Sequence, residues 1–362
     1  MKELYTFSFQ KEHRELGCED APPVAERTHL IVCDGLGGSG KDPIPCVENG
    51  EAKIRTSAYI GSRILSDYTD RWIKANYSRI ADGPAAESEP KTDDFRDYVF
   101  EWFEGLDDAY AEKRKELGLA EPQVGQKMLF PSTLACTLLF PHEDKLRLLM
   151  MWAGDSRIYS LSSKNGLEQL SMDDSEFPFD SIHSTSHMRN CLAHQRGRVH
   201  HINYAYTEIE EDAIVFCCSD GVTDYLPSPM TLECVMYVLS RSQYESSEPD
   251  FVSAFAEKIS RIFFRTIYDD TTMAGAFWGF NDRQGFESAY MDRIVEMMPV
   301  FEKTDDIIHR EDEKPSRILG LFKRKPQEAV DSPRFQEIWK AYEKGYQRFR
   351  RIEIKRIYED EL

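Results

Sequence analysis

Three apolar runs in this sequence end in the same way, at an aspartate. HLIVC is followed by Asp34, LLMMWAG by Asp155 and AIVFCCS by Asp220. A fourth acidic site, the pair Asp269-Asp270, stands instead at the start of a strand-like segment. In an antiparallel sheet the end of one strand lies beside the start of its neighbour. The pattern therefore predicts that all four acidic sites share one rim of a sheet.

Carboxylates gathered at one rim need a positive partner. Two of them repel each other by about 4 kcal/mol at a separation of about 4 Å and an effective dielectric constant near 20. No cluster of histidines or cysteines accompanies these aspartates. A site made only of oxygen atoms suits Mg²⁺ or Mn²⁺ better than Zn²⁺. The sequence therefore predicts two hard divalent cations, bridged by one carboxylate.

Strand-like and helical segments follow one another in an order that indicates layers. Residues 5–33 contain two strand-like segments, residues 54–110 two amphipathic helical patterns, and residues 132–219 five further strand-like segments. Two helical patterns and one more strand occupy residues 232–278, and the sequence then becomes charged and helical over residues 281–362. Because each sheet must be covered and each helix has an apolar face, an α+β fold with helices outside an antiparallel sandwich satisfies this order.

Five strings carry a resemblance to a known family. They are DGLGG at Asp34, STLACTLLF at Ser132, WAGDSRIYSL at Trp152, FCCSDGVTDYL at Phe216 and YDDTTMAGAFW at Tyr268. In this order they resemble the motifs of PP2C-type (PPM family) metal-dependent protein serine/threonine phosphatases.

The resemblance covers roughly residues 5 to 280. It implies an α-β-β-α sandwich of two antiparallel sheets flanked by helices. A PP2C-like phosphatase domain would occupy residues 1–280, and residues 281–362 would be a helical, charged C-terminal extension of unknown role.

The resemblance also assigns roles in a metal centre. Asp34 would bridge two Mn²⁺ or Mg²⁺ ions, and the carbonyl oxygen of Gly35 would bind the second of them. Asp220 and Asp269 would complete the first, and Asp155 matches a position that helps to hold a third, weaker ion. The implied reaction is attack of a water bridging the two ions on a phosphate monoester, with Asp34, Asp220 and Asp269 as the catalytic carboxylates. The implied substrate is a phosphorylated protein.

Further residues have implied roles around this centre. Glu19 and Asp20 match the family's early acidic pair and would act mainly through metal-bound water. Arg14 lies near the position of the family's phosphate-binding arginine, one residue out of register. Residues 173–200 lie where the family has a flap, and are candidates for contacts with the substrate.

The chain departs from the family's pattern at two positions. Leu36 stands where many eukaryotic members have a histidine that is a candidate general acid, so another group or water must protonate the leaving oxygen. Asp270 stands where the family usually has asparagine, which leaves open whether Asp269 or Asp270 is the ligand. A catalytically weak regulatory or binding module of the same fold is the alternative. The presence of all the main acidic positions favours catalysis.

The glycines after the second strand also spell a different motif. Gly35, Gly37 and Gly40 match GxGxxG, the dinucleotide fingerprint. A pyrophosphate site requires a helix directly after these glycines, and Pro43 and Pro45 prevent one from starting there. The sequence therefore does not favour a dinucleotide site.

The overall charge limits the partners. The net charge is −19, with 64 acidic and 45 basic side chains, so we expect neither nucleic acid nor an anionic membrane as partner. The first residues do not resemble a signal peptide, and no apolar run approaches the roughly 18 residues of a membrane span. We therefore expect a cytoplasmic protein whose eight cysteines are free thiols.

Aromatic residues recur at three- and four-residue intervals near the end of the sequence. They and their apolar neighbours are Phe335, Ile338, Trp339, Tyr342, Tyr346, Phe349 and Ile352. Such a helical face must be covered to avoid aggregation. It could dock onto the chain's own surface, or residues 330–362 could bind a partner protein or a second copy of the chain. In either case the sequence predicts that their removal leaves hydrolysis of a small phosphate ester largely intact.

Overall fold

Two antiparallel sheets form the centre of the structure. The structure is a computed structural model, and it describes residues 2–12, 17–37, 43–123, 128–182, 187–195, 200–224, 226, 228–241, 251–264, 269–280, 283–308 and 330–358. Its strands in chain order are β1 (Leu4–Lys11), β2 (Val24–Ala25), β3 (His29–Val32), β4 (Pro43–Glu48), β5 (Glu51–Thr56), β6 (Leu129–Ser132), β7 (Leu134–His142), β8 (Lys145–Ala153), β9 (Arg157–Ser162), β10 (Gly166–Gln169), β11 (Leu192–His194), β12 (His201–Ile209), β13 (Ala213–Cys218), β14 (Thr271–Trp278) and β15 (Ile354–Tyr358). Its α-helices are α1 (Ser57–Asp82), α2 (Arg96–Glu116), α3 (Pro229–Arg241), α4 (Phe251–Phe264), α5 (Arg283–Ile308) and α6 (Pro333–Tyr346).

The two main sheets have separate strand orders. The five-stranded sheet runs β1-β14-β13-β9-β10, and the six-stranded sheet runs β15-β12-β8-β7-β3-β2. Neighbouring strands in both are antiparallel. Two smaller sheets, β4-β5 and β11-β6, lie outside them. The predicted pair of antiparallel sheets is therefore confirmed.

Three apolar clusters fill the spaces between the layers. Between the sheets, small side chains such as Ala135 and Ala276 pack with Trp152. Helices α1 and α2 cover the outer face of the six-stranded sheet, where Trp102 is fully buried. Helices α3 to α6 cover the outer face of the five-stranded sheet. The predicted α-β-β-α sandwich is confirmed, since each helix buries its apolar face on one sheet.

A hairpin precedes α1, and the sequence did not predict it. The helical pattern that began at Ile54 is wrong at its start, because Ile54 lies in β5 and the helix begins only after Thr56, whose side chain caps its first turn. Pro43 and Pro45 are accommodated because β4 belongs to a sheet of two strands, both of them edge strands. The first described residues after the glycine cluster thus form a strand rather than a helix, which agrees with rejecting a dinucleotide site.

The segment after residue 280 joins both sides of the sandwich. It is helical over α5 and α6, as predicted, but β15 then pairs with β12 as the outermost strand of the six-stranded sheet. The predicted helical face is wrong at its end, because α6 stops at Tyr346 and Ile352 lies between a short 3₁₀ turn and β15. Phe335, Trp339 and Tyr346 are buried against the five-stranded sheet and its helices. In this structure the aromatic face therefore covers the chain's own surface. The boundary at residue 280 stays a prediction.

The cysteines behave as predicted from their apolar surroundings. All eight are free, and all except Cys46 are buried. Burial holds the pKa of Cys217 and Cys234 well above the usual range of a thiol, so these groups stay protonated.

None of the helices in the described part of the chain combines the length and the apolarity that crossing a membrane requires.

Candidate metal centre

Four strand ends place the predicted aspartates. Strands β3 and β8 are both antiparallel to β7, so their C-terminal ends lie at the same end of the six-stranded sheet. Asp34 and Asp155 follow these two strands there. Strand β13 is antiparallel to β14, so Asp220, after the first, lies near Asp269, before the second. The carboxylates thus come from two sheets, two from each, and meet at one end of the sandwich rather than on one rim of a single sheet.

Asp34 lies at the middle of this group. Its carboxyl group lies close to those of Asp20 and Asp220. Burial and the neighbouring carboxylates of Asp20, Asp220 and Asp155 hold the pKa of Asp34 well above its usual range. A bound cation would favour the charged forms of these carboxyl groups and displace their protons.

The pKa values of the neighbours are shifted in the same direction. Burial raises the pKa of Asp20 to about 6, although hydrogen bonds from Thr272 and Asp34 oppose the shift. Burial, followed by the charges of Asp155 and Asp269, raises the pKa of Asp220 to about 7. Negative charge is thus unfavourable at three adjacent positions of the metal-free protein.

Asp155 lies at the side of the group. Burial, followed by the carboxylates of Asp173 and Asp224, raises its pKa to about 7, and the Arg157 guanidinium opposes them. The sequence predicted neither Asp173 nor Asp224 as part of the metal centre, and it placed Asp173 only at the start of the candidate flap, residues 173–200. The only signal for Asp173 is its place in the acidic string MDDSE, which by itself is as compatible with an exposed loop.

The loop that carries Glu19 and Asp20 is fixed by hydrogen bonds. The Glu19 backbone N–H donates to Asp270 Oδ2 at 2.7 Å, and Thr56 Oγ1 donates to Glu19 Oε1 at 2.7 Å. Asp20 is buried, and its Oδ2 accepts no hydrogen bond in the described part of the chain. Asp270 is buried and accepts a hydrogen bond from the loop backbone, whereas Asp269 is half-buried. This difference favours Asp269 over Asp270 as the ligand.

Gly35 is held where no other residue fits. A Cβ atom there would lie 2.6 Å from the carbonyl oxygen of Ala58 and 2.7 Å from that of Glu19. Gly35 therefore lets the strand that carries Asp34 approach the start of α1 and the acidic loop together. Thr133 supports the same turn, because the Asp34 backbone N–H donates to its Oγ1 at 3.2 Å.

The chemistry of these donors fits hard divalent cations. The group offers carboxylate oxygens and the Gly35 carbonyl oxygen. One of these oxygens, Asp20 Oδ2, is buried and has no hydrogen-bond partner among the described residues. Negative charge in the group is unfavourable in the metal-free protein. Within the described residues, no three His, Cys, Asp or Glu side chains are arranged around a common ion position. Arg14 lies outside the described residues, as do residues 183–186 and 196–199 of the candidate flap.

The shifted pKa values predict how pH affects the metal-free protein. A carboxyl group whose pKa is higher in the folded than in the unfolded state stabilises the fold while protonated, and this contribution is lost as pH rises through the folded pKa. Asp220 has a folded pKa of about 7, against an ordinary value of 3.8. We therefore expect the contribution of Asp220 to the melting temperature of the metal-free protein to fall between pH 4 and 8.

The measurement is a series of thermal melts of the wild type and Asp220→Asn in a chelating buffer. The lowered pKa of His29, caused mainly by burial, acts in the opposite direction over part of this range. It is common to both proteins, so the difference between their melting temperatures isolates Asp220. That difference should increasingly favour Asp220→Asn as pH rises. A constant difference would contradict the shift.

Neither a protein-family model nor a curated protein matches the chain. Solved structures do. The catalytic domain of the serine/threonine protein phosphatase PstP, determined with two manganese ions, is 15% identical, with 77% of this chain and 100% of that chain covered and a TM-score of 0.48. Serine/threonine phosphatase Stp1 from Staphylococcus aureus is 18% identical, with 76% and 95% covered and a TM-score of 0.47.

A third similar structure has a different description. PppA of Pseudomonas aeruginosa, described as a key regulatory component of T6SS, is 15% identical, with 76% of this chain and 98% of that chain covered and a TM-score of 0.47. The three similarities are similarities of backbone structure. An activity does not follow from them, because one fold hosts many functions.

Proposed function

We propose that this chain is a PP2C-type, metal-dependent protein phosphatase that hydrolyses phosphate monoesters of phosphorylated serine or threonine. One observation carries the proposal: Asp20, Asp34 and Asp220, which lie on three separate segments of the sequence, come close together at one end of the sandwich. Their repulsion destabilises the metal-free fold, and binding of cations would reverse the effect. Natural sequences retain such local conflicts at functional sites.

The proposed carboxylate ligands Asp34, Asp155, Asp220 and Asp269 are all half-buried. Asp34, Asp220 and Asp269 would hold two Mn²⁺ or Mg²⁺ ions together with the Gly35 carbonyl oxygen. Asp155 would hold a third, weaker ion. When bound, the ions would supply the positive charge and Lewis acidity that activate water and neutralise the phosphate.

Other groups of the chain keep these ligands in place. Asp270 and Thr56 fix the loop of Glu19 and Asp20, whose side chains would act mainly through water. Arg14 remains the proposed contact for the substrate phosphate. Leu36 carries no proton, so we propose that the leaving oxygen takes its proton from solvent or from another group.

Turnover of a small phosphate ester such as p-nitrophenyl phosphate tests the proposal. We expect metal-stripped protein to be inactive, Mn²⁺ to restore turnover and a chelator to remove it again, because the site contains only oxygen ligands. Calorimetry with Mn²⁺ should be run on the same samples. Binding without turnover would favour the regulatory or binding module instead. Absence of Mn²⁺ binding, or turnover that survives thorough chelation, would show that the proposed chemistry is wrong.

A further inference from the structure

The segment that carries Asp173 and Asp174 supports the Asp155 side of the site. Asp174 Oδ2 accepts a hydrogen bond from the Gly154 backbone N–H at 3.1 Å, and the Asp174 N–H donates to the Gly154 carbonyl oxygen at 2.9 Å. Asp173 forms a two-pronged ion pair with Arg157, with N–O distances of 2.7 to 3.1 Å. The two residues therefore fix the chain on both sides of Asp155.

The Asp173 carboxylate is also connected to α6. Gln169 Nε2 donates to Asp173 Oδ1 at 2.9 Å, and Tyr346 Oη donates to Gln169 Oε1 at 2.9 Å. Because Tyr346 has one hydroxyl proton and gives it to Gln169, its 3.1 Å contact with Tyr159 Oη is one in which Tyr159 donates. The Tyr346 hydroxyl is buried, so water does not replace these partners.

Arg157 extends the same chain of contacts to the five-stranded sheet. One of its guanidinium nitrogens donates to Thr223 Oγ1, and Thr223 Oγ1 donates to the Asp220 carbonyl oxygen at 3.2 Å. The hydroxyl of Tyr346 is thus joined through Gln169, Asp173 and Arg157 to the turn that begins at Asp220.

Two further contacts from the same end of the chain hold this segment. Gln347 Nε2 donates to the Phe179 carbonyl oxygen at 2.8 Å, and the Arg350 guanidinium lies 4.3 Å from the centre of the Phe179 ring. On β15, Arg356 Nε donates to Asn203 Oδ1 at 2.8 Å, and Asn203 Nδ2 donates to Asp174 Oδ2 at 2.9 Å. Residues 346–356 therefore contact the Asp155 side of the site at several points.

We propose that Tyr346 is a positioning residue for the metal centre, an inference that rests on the proposed function. Through Gln169 it fixes the Asp173 carboxylate, and Asp173 with Arg157 sets the orientation of the Asp155 turn. Residues of this kind, which orient ligands without touching the ion, typically change metal affinity or activity 10- to 100-fold when mutated. Because Tyr346 acts through three intervening groups, Gln169, Asp173 and Arg157, we expect an effect of about ten-fold.

Tyr342→Phe is the matched control for Tyr346→Phe. Both tyrosines lie on α6 and contribute to the same aromatic packing, and each substitution removes one hydroxyl while keeping the ring. The Tyr342 hydroxyl donates to Glu233, on α3. In the described part of the chain, Glu233 is bonded to Leu167, Tyr237 and Arg293 as well, and not to Gln169 or Asp173. A purely structural role for Tyr346 therefore predicts that the two variants behave alike.

The full chain is measured in three ways. For p-nitrophenyl phosphate with Mn²⁺, Tyr346→Phe should lower kcat about ten-fold with little change in KM, since the substrate does not touch Tyr346. Calorimetry should show about ten-fold weaker Mn²⁺ binding at the weakest site. In metal-free protein, hydrogen exchange should rise in peptides covering residues 152–160 and 169–176. Tyr342→Phe should match the wild type in all three.

The outcomes separate the two ideas. If the wild type is active and the two variants have equal kcat and Mn²⁺ affinity, the role of Tyr346 is refuted while the phosphatase stands. If the wild type neither turns over the ester nor binds Mn²⁺, the proposed function has failed. In that case hydrogen exchange in the metal-free protein tests the positioning role of Tyr346, and equal exchange in both variants refutes that role. Should Tyr346→Phe not fold, Gln169→Met breaks the same connection from the other side.

Discussion

Replacing Asp34 by asparagine is expected to lower Mn²⁺-dependent hydrolysis of p-nitrophenyl phosphate roughly 10²- to 10³-fold, the range found when one group that stabilises developing charge is removed. Asp34 lies close to both Asp20 and Asp220 and so lies between the two halves of the candidate site. The amide is neutral and offers one acceptor oxygen in place of two. The same change should raise the melting temperature of the metal-free protein at neutral pH, because a neutral amide avoids the stability cost of a carboxyl group whose folded pKa is raised.

Lower turnover together with a higher melting temperature distinguishes the loss of a metal ligand from a folding defect. Asp144→Asn is the control, because Asp144 is exposed and precedes β8 at the end opposite Asp155. It should change neither turnover nor melting temperature appreciably. If Asp34→Asn were fully active, Asp34 could not bridge the ions. If it lost activity together with stability, a folding defect would explain the loss.

A second large effect is expected when residues 330–362 are removed. The sequence predicted that small-ester turnover would survive this truncation, and the structure argues against it. Phe335, Trp339 and Tyr346 are all buried. Truncating one large buried aromatic side chain destabilises a protein by about 3–5 kcal/mol, so losing all three is comparable with a total stability of about 5–15 kcal/mol. The truncation also exposes one edge of β12. We expect it to be insoluble or to lack a cooperative unfolding transition.

A single substitution measures the same contribution in a protein that folds. Trp339→Ala should lower the free energy of unfolding, obtained from urea titration, by about 3–5 kcal/mol. Lys340→Ala, at the next and exposed position of α6, should change it by less than about 0.5 kcal/mol. A truncated protein with the urea midpoint of the full chain would show that the C-terminal packing contributes little.

The central strands could be predicted because each is a continuous apolar run that two sheets or a sheet and helices must bury. HLIVC, LLMMWA and AIVFCC leave little choice of structure, and the acidic residues at their ends were therefore located as well. The hairpin of β4 and β5 was missed because prolines usually indicate a loop. Strand β15 was missed because IKRIY follows a charged helical pattern, and its pairing with β12 is a tertiary contact.

The site could be predicted only in part for a related reason. Local sequence shows which carboxylates stand at the ends of strands, and it placed Asp34, Asp155, Asp220 and Asp269 there. It does not show that they come from two sheets. Nor does it show that Asp173 affects Asp155, since that depends on an ion pair with Arg157 across the loop.

The pairing of β1 with β14 has a consequence for the newly made protein. The five-stranded sheet joins residues 4–11 to residues 271–278, so its register forms only after most of the chain has been synthesised. Asp20 and Asp34 leave the ribosome long before Asp269. At about 5–20 residues per second the interval is on the order of tens of seconds. A growing chain therefore exposes the first half of the proposed ion-binding site before the second half exists, and cation binding there would assist only the last step of folding.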